Sequence, residues 1–319
     1  MPVRKAFEEL SRQLGVQFKP DPKDLFEGKV VTLDIADQPF WTAMKAICAT
    51  NQLAPEVGRG GIISVGQDPG WAMRPASISS TAIVQPYGID VSRSVKMGRT
   101  PVVSAACSVE VTVTLDPRLR LLYLKRLHVE TMTDEAGHAI EQAPYEWPEG
   151  EQAMNDGTRL QIKPLPDSHR IARLEGYCVA VIQTKSEKLE VDDIVHANGV
   201  EKIVGGVRFV VTTRAFGGNY TVEYNAYRPP NVSFPVFIAR IQSVEGTLLD
   251  AAGQPYTWAG GSTNGLGNDG LHVESHFQQK SFSNPKAPEP GAPARFVLEV
   301  PAETREVHTP FDFTDLPLP

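Results

Sequence analysis

The hydrophobic pattern of the chain changes near residue 70. Before that point, apolar residues recur at helical spacing over 3–14, and Gly15 follows at the position where a helix commonly ends. Asp37 and Pro39 then predict the start of a second helix at Phe40. Alternating patterns predict short strands at 16–18, 30–35 and 62–65. The first 70 residues therefore predict a small α+β module.

After residue 70 the helical period disappears and period-two alternation replaces it. Residues 108–115, with the sequence SVEVTVTL, are the clearest case. Further strands are predicted at 127–129, 177–182, 205–211, 220–227, 236–249 and 311–316. Short strands separated by turn residues, with no helix predicted among them, indicate antiparallel β-sandwiches of the immunoglobulin-like type.

Part of this β region is repeated. Residues 172–194 align without a gap on 294–316, an offset of 122, and both copies end in a strand that contains carboxylates. Two shorter landmarks recur in the same order, 109–110 at 222–223 and 134–137 at 250–253. An offset that grows along the chain predicts one domain that was duplicated and then altered by loop insertions. The predicted domains are residues 1–70, 71–196 and 197–319.

The first module resembles a known family. A strand with the sequence VVTLDI leads through a polar turn into the helix PFWTAMKAICATNQL, which the strand GIISV follows. This order is similar to the short N-terminal domain of secretins and TonB-dependent receptors, and the resemblance covers residues 3–66. It implies a βαβ-type module used in bacterial envelope proteins for protein–protein contact or ring assembly. No pore, plug or barrel segment follows, so channel activity is not implied, and another α+β superfamily is the alternative.

The β region resembles tandem immunoglobulin-like domains of bacterial envelope proteins. The predicted fold is therefore a small α+β module followed by two tandem antiparallel immunoglobulin-like β-sandwiches. The three cysteines cannot all pair within one chain, and either a Cys107–Cys178 bridge or buried free thiols would fit this fold.

Charge and hydropathy narrow the partners and the compartment. The formal net charge of −7 gives no electrostatic reason to expect nucleic acid or an anionic membrane surface. No apolar run approaches the roughly 20 residues that cross a bilayer, so direct membrane insertion is not expected. The N-terminus, MPVRKAFEELSRQLG, lacks the apolar centre of a secretory signal. A cytoplasmic protein is predicted, or a periplasmic or envelope protein if a signal peptide was removed.

The strongest candidate for chemistry is the segment HVESH at 272–276. On a strand, the period of two places His272, Glu274 and His276 on one face, where imidazoles and a carboxylate could hold zinc or iron. The same face could equally be the solvated side of a sandwich. The sequence contains no phosphate-binding loop, dinucleotide fingerprint or nucleophile elbow. No cofactor is expected, and a metal-dependent enzyme is the third of three hypotheses.

Four aromatic residues are the candidates for binding. Trp41 follows Phe40 on the second predicted helix at an angle of about 100°, so one of the two is expected to remain exposed. Trp147, Tyr256 and Trp258 lie in or beside the regions where the copies differ most, 141–168 and 257–292, and could stack on sugar rings. Carbohydrate or small-ligand binding is therefore the second hypothesis.

The first hypothesis is a non-enzymatic adaptor or assembly protein of the bacterial cell envelope. It would bind a protein partner, or itself, through sheet edges, the exposed side of the first module and the long hairpins. Sheet edges accept a partner strand by backbone hydrogen bonding, which needs no particular side chains.

Overall fold

The computed structural model describes residues 1–32, 38–58, 62–97, 102–125, 127–143, 157–163, 168–267, 269–279 and 289–318. Within these ranges the protein is mostly β, with several sheets and three α-helices. It divides into two compact units. Unit 1 contains Met1–Val181 and Glu306–Pro319, and unit 2 contains Ile182–Arg305.

Unit 1 begins with the predicted α+β module. Its elements are α1 (Val3–Leu14), β1 (Gln17–Pro20), α2 (Phe40–Asn51), β2 (Leu53–Val57) and β3 (Ile62–Gln67). The strands form a sheet in the order β1-β3-β2, with β1 parallel and β2 antiparallel to β3. Both predicted helices are confirmed, and β2 was not predicted. The predicted strand at 30–35 lies partly outside the described residues.

The apolar stripes of α1 and α2 build the core of this module. Val3, Phe7 and Leu10 of α1 are buried, and Gly15 ends the helix in the left-handed conformation with φ of 69°. Pro39 is the N-terminal capping residue of α2, which has no side-chain cap. Phe7 stacks on Phe26 with ring centroids 4.8 Å apart, so aromatic packing joins the first helix to the loop that follows β1.

The rest of unit 1 is β-structure. Its strands are β4 (Ser77–Ile78), β5 (Ala82–Lys96), β6 (Val102–Leu115), β7 (Arg120–Leu124), β8 (His128–Asp134), β9 (Gly157–Ile162) and the first part of β10 (Arg170–Asp192). Strands β4, β5, β6 and β9 form an antiparallel sheet in the order β4-β5-β6-β9.

Unit 2 contains a five-stranded antiparallel sheet and one helix. Its elements are β11 (Asn198–Val204), β12 (Val207–Phe216), β13 (Asn219–Tyr227), α3 (Phe234–Gln242), β14 (Gly246–Asp250), β15 (Thr257–Gly265), β16 (Gly270–Gln278) and the first part of β17 (Pro293–Pro317). The order in the sheet is β11-β12-β13-β16-β15. A further sheet has the order β14-β17-β10-β7, and β8 also pairs with β10.

Helix α3 corrects the sequence analysis, which predicted a strand over 236–249 and no helix in the β region. Ser233 and Pro235 begin the helix, a signal that the sequence analysis missed. The buried residues Phe237, Ala239 and Ile241 are spaced by two. A short helix that is apolar on most sides therefore has the hydrophobic pattern of a strand, and periodicity alone does not separate the two.

The repeated tetrapeptides at 134–137 and 250–253 form the same turn. Asp134 and Asp250 each accept hydrogen bonds from the backbone amides two and four residues ahead, at 2.9 and 2.7 Å in both turns. Gly137 and Gly253 have φ of 83° and 80°, and each donates to the preceding Asp carbonyl at 3.0 Å. The carboxylate of each Asp thus accepts hydrogen bonds from amides that have no backbone acceptor within the turn. The positive φ at the fourth position favours glycine there.

The repeated segments 172–194 and 294–316 lie in the two longest strands, β10 and β17. Asp193 and Asp315, related by the offset of 122, both have left-handed φ values, 49° and 55°. Leu189 and Phe311, related by the same offset, are both buried. Leu189 belongs to the core of unit 2, whereas Phe311 belongs to unit 1. Each unit therefore contains the first part of one long strand and the last part of the other.

Because each long strand is shared between the units, the units do not coincide with the contiguous repeats that the sequence predicts. The boundaries near residues 70 and 196 and the immunoglobulin-like type of the sheets stay predictions. Among the described residues, no helix is long and apolar enough to cross a membrane.

Candidate interaction site

Strands β5 and β6 continue beyond their sheet as a two-stranded arm, defined here as residues 91–97 and 102–106. Strand β9 pairs with β6 only over 107–112, and β4 pairs with β5 only at Ile83 and Val84. Past those positions, β5 and β6 pair with each other as far as Lys96 and Val102. All described side chains of the arm, at 91–95, 97, 105 and 106, are exposed. Neither face of the arm is therefore covered within the described chain.

The arm exposes apolar side chains. Val91 is 52%, Val95 51% and Met97 85% exposed. Val91 and Val95 lie on the same face of β5 because side chains alternate along a strand. A two-stranded ribbon is marginally stable by itself, and clustered apolar residues on a surface mark contact sites. The arm thus presents a surface that a partner would stabilise by covering it.

The arm also differs in charge from the rest of the chain. The sequence between Asp90 and Glu110 contains Arg93, Lys96 and Arg99 and no acidic residue. The whole chain has a formal net charge of −7. A basic arm on an acidic protein favours an acidic partner surface.

The matching hairpin of unit 2 has no arm. The offset of 113 relates β6 to β13, so Ala106 corresponds to Asn219, the first residue of β13. There the β12–β13 hairpin closes through Gly217 and Gly218, whose φ values are 56° and 81°. Two residues with positive φ are typical of the tight turns that suit twisted hairpins. Residues 93–105 therefore have no counterpart in the β12–β13 hairpin.

Strand β15 is a second candidate for contact because it lies at one edge of the five-stranded sheet of unit 2. Seven of its nine residues are exposed, and no charged residue occurs from 251 to 268. A bulge between Trp258 and Gly260 is followed by regular pairing of 260–265 with β16. A Cβ at Gly261 would lie 2.3 Å from the Glu274 carbonyl oxygen, so close approach to β16 requires glycine there.

The predicted metal-binding residues lie on β16. His272, Glu274 and His276 share its outward face, while Val273 and Phe277 are buried, as the period of two predicted. His272 Nε2 lies 3.3 Å from Glu274 Oε1, and His276 Nδ1 lies 3.0 Å from the Thr221 hydroxyl. Among the described residues, no group of three His, Cys, Asp or Glu side chains is arranged to hold a metal ion.

Glu274 belongs to a polar network on this face. The hydrogen bond from His272 lowers the pKa of Glu274, and the Ser262 hydroxyl, 3.3 Å from Glu274 Oε2, acts in the same direction. On the neighbouring strand, Glu223 is directly opposite Glu274 and pairs with Arg214 at 3.1 Å. These contacts satisfy the polar groups mutually, including the carboxylate of Glu223, which is buried.

The same sheet position carries a different pair in unit 1. Glu110, which corresponds to Glu223, is directly opposite Arg159 and forms an ion pair with it. Asp90 lies 3.7 Å from the same guanidinium. Unit 1 therefore has opposite charges where unit 2 has the carboxylates of Glu223 and Glu274.

The predicted aromatic residues have different surroundings. Trp41 and Phe40 are 1% and 6% exposed and contact each other edge to face, so the expectation that one remains exposed is wrong. Both belong to the core of the first module, because α2 is covered on two sides. Trp147 lies outside the described residues. Tyr256 is buried and donates its hydroxyl hydrogen to the Gly291 carbonyl, and Trp258 is 61% exposed.

The three cysteines are buried as free thiols. Burial raises the pKa of Cys48 and of Cys178 to about 12, and it also raises the pKa of Cys107. A thiol with a raised pKa holds little thiolate at neutral pH, so these cysteines are not poised for nucleophilic chemistry.

The arm is the feature that sequence reasoning missed. Its signal was present, because an alternating run with three cations and no acid separates Asp90 from Glu110. The extension can be recognised only by aligning β5 on β12. The landmarks that matched in the sequence start at Val109, after the arm, so they did not reveal it. The region 257–292, predicted as a place for specialised contacts, does contain β15.

Comparisons with known proteins identified no similar protein. No family model, no curated protein and no solved structure matches the chain.

Proposed function

We propose that this protein is a non-enzymatic adaptor or assembly component that binds a protein partner, in keeping with an envelope protein. The arm of β5 and β6 carries the proposal. It is exposed on both faces, it presents Val91, Val95 and Met97 to solvent, and its sequence is basic. Covering such a ribbon removes apolar surface from water and supplies the neighbours that a two-stranded sheet lacks.

The described residues favour binding over chemistry. The described histidine and carboxylate row is satisfied by its own hydrogen bonds, and the cysteine pKa values are raised. The resemblance of the first module to the short N-terminal domain of secretins and TonB-dependent receptors points in the same direction, because those modules serve contact and assembly. The proposal keeps the tandem immunoglobulin-like assignment for the β region, supported by antiparallel sheets and by the shared Asp turn.

The test uses a variant with a shortened arm. Residues 93–105 are replaced by Gly-Gly, which copies the closure of the β12–β13 hairpin. We expect the variant to fold, because the arm contributes no buried side chain among those described. Self-association in sedimentation velocity and crosslinking to envelope proteins should both weaken at least about tenfold, since the arm holds the contact surface.

A point variant distinguishes the contribution of the exposed apolar side chains to binding from the contribution of the length of the arm. Val91→Ser with Val95→Ser keeps the backbone and charge but removes exposed apolar groups, and it should also weaken binding. The proposal fails if the full chain remains monomeric and captures no protein whose binding depends on the arm. It fails equally if both variants bind as the full chain does.

A second candidate function is carbohydrate binding at Trp258. Its indole is 61% exposed beside the uncharged edge of β15, and an exposed aromatic face can stack on a sugar ring. Glycan-array binding combined with tryptophan fluorescence should then detect a sugar that Trp258→Ala no longer binds. The buried Trp41 is a poor reporter of such binding, so Trp41→Phe should leave the signal intact. No response across the array would exclude this function.

A further inference from the structure

We propose that the arm of one copy pairs with the free edge of β15 in a second copy. The inference rests on the proposed function and names the partner. It uses two surfaces, the arm of unit 1 and the edge strand of unit 2, each of which lacks a strand neighbour among the described residues.

The two edges of the five-stranded sheet are unequal. Strand β11, at one edge, carries Glu201 and Lys202, and charged side chains are a common protection against pairing with another chain. Strand β15, at the other edge, has no charge along its whole length. Its bulge interrupts only the first residues, and 260–265 pair regularly with β16. Of the two edges, β15 is the one open to an added strand.

The arm and the edge match in length. The regular part of β15 has the sequence GGSTNG, six residues at 260–265. The part of β5 in the arm that pairs only with β6 is also six residues long, from Val91 to Lys96. At about 3.3 Å per residue, each spans roughly 20 Å. A backbone ladder between them would leave no long unpaired overhang.

Side-chain size and charge also match. The small residues of 260–265 leave room beside the strand for the β-branched and basic side chains of the arm. Glu274 lies one strand further into the sheet, about 10 Å from a strand added to β15, and Ser262 is directly opposite it on β15. Arg93 is long enough to reach toward that carboxylate across a serine.

A second copy is the partner that the charges favour. The sequence from 91 to 109 contains three cations and no acid, so the rest of the chain has a formal net charge of −10, which is −7 less +3. Each copy would therefore offer a basic arm to an acidic body. Because arm and edge are different surfaces, the contact is heterologous, and repetition gives rings or filaments. Assembly of that kind is what an adaptor or ring component would need.

Complementary variants test this pairing. One is the shortened arm, with residues 93–105 replaced by Gly-Gly, which leaves the edge intact. The other is Thr263→Lys, which adds a charge to the exposed part of β15 and leaves the arm intact. Ile203→Lys is the matched control, because it adds the same charge to an exposed position, 70% exposed, on β11 at the other edge. Circular dichroism and hydrogen exchange establish that each variant is folded.

We expect the full chain and Ile203→Lys to self-associate in sedimentation velocity, as closed rings of two or more copies or as filaments. Each of the two interface variants alone should associate at least about tenfold more weakly. Their equimolar mixture should form a one-to-one dimer that grows no further, because one copy supplies the only arm and the other the only intact edge. Cysteines introduced at Arg93 and Ser262, which share one face in this pairing, should form a disulfide between copies, since the three natural cysteines are buried.

Two results would overturn the pairing. One is a mixture that stays monomeric while the full chain associates, and the other is Thr263→Lys associating as strongly as Ile203→Lys does. If the full chain is monomeric yet binds another protein through its arm, this inference fails while the proposed function stands. If no arm-dependent binding of any kind is found, both fail.

Discussion

The β5–β6 and β12–β13 hairpins occupy matching places in the two repeats, yet one extends into an arm and the other closes in a two-residue turn. The strands beneath them keep the same pairing, with Glu110 and Glu223 at equivalent positions of β6 and β13. The tips differ because a hairpin end contributes little to the core and tolerates insertion. The matched strands are therefore the scaffold, and the unmatched extension is the place to look for function.

A second contrast concerns the side chains on the same two sheets. In unit 1, Glu110 is opposite Arg159, which makes a neutral pair. In unit 2, Glu223 is opposite Glu274, and Arg214 and His272 hold the two carboxylates. The strand positions are equivalent, but the charge has diverged. The carboxylates have partners in both units, and a sheet position accepts different polar residues as long as each is satisfied.

The largest expected effect concerns the long strands. Phe311→Ala should lower the free energy of unfolding by about 3–5 kcal/mol and Leu189→Ala by about 2–5 kcal/mol, because both side chains are buried. Although the two positions match in the repeat, hydrogen exchange should rise in β5 and β6 for Phe311→Ala and in β12 and β13 for Leu189→Ala. Faster exchange in the same unit for both variants would contradict the distribution of the strands.

Val95→Ala is the control for that experiment. The side chain is half exposed on the arm, so truncation should change the free energy of unfolding by less than about 0.5 kcal/mol.

A smaller effect is expected from exchanging the charge pairs. Arg159→Glu gives unit 1 the carboxylate pair of unit 2, and like charges directly opposite should destabilise the protein by up to about 1 kcal/mol. Urea denaturation at low and high salt measures the change, which should shrink as salt screens it. The neutral Arg159→Gln is the control and should cost less. An equal loss in both variants, independent of salt, would show that packing and not charge is responsible.

The smallest effect is a difference between the two Asp turns. The second carboxylate oxygen of Asp250 accepts a hydrogen bond at 2.8 Å from the Gly291 amide, which lowers the pKa of Asp250 most, together with the amides of its turn. The second carboxylate oxygen of Asp134 has longer contacts, 3.2 Å to His138 Nδ1 and 3.4 Å to the Ser168 hydroxyl. At Asp134 desolvation acts against the lowered pKa, but the hydrogen bonds of His138 outweigh it. A lowered folded pKa adds stability above the unfolded value of about 3.9, and that stability is lost as the pH falls through the folded pKa.

Asp250→Asn should therefore lower the melting temperature at neutral pH more than Asp134→Asn does. The difference in melting temperature between each variant and the parent protein should become smaller as the pH is lowered. A difference in melting temperature that stays constant across pH would mean that the carboxylate charge does not contribute to the stability of the turn.

Local patterns were sufficient for much of the fold. Helix α1 was predictable because its stripe and Gly15 are both local signals, and β13 was predictable because Val222, Tyr224 and Ala226 alternate with polar residues. Helix α3 was not predictable from periodicity, because Phe237, Ala239 and Ile241 repeat every second residue. The burial of Trp41 also escaped prediction, since it depends on what packs against α2.

Local patterns in the amino-acid sequence account for the β-rich character, the turn chemistry of the repeated Asp residues and the matching ends of the two long strands. These properties depend on alternation, glycine and side-chain hydrogen bonding over a few residues. The folded structure was needed to show that Leu189 and Phe311 support different units, that β15 lies at a sheet edge and that 91–97 and 102–106 project as an arm. Strand neighbours are chosen by contacts distant in sequence, and the alternating pattern is the same whichever neighbour a strand has.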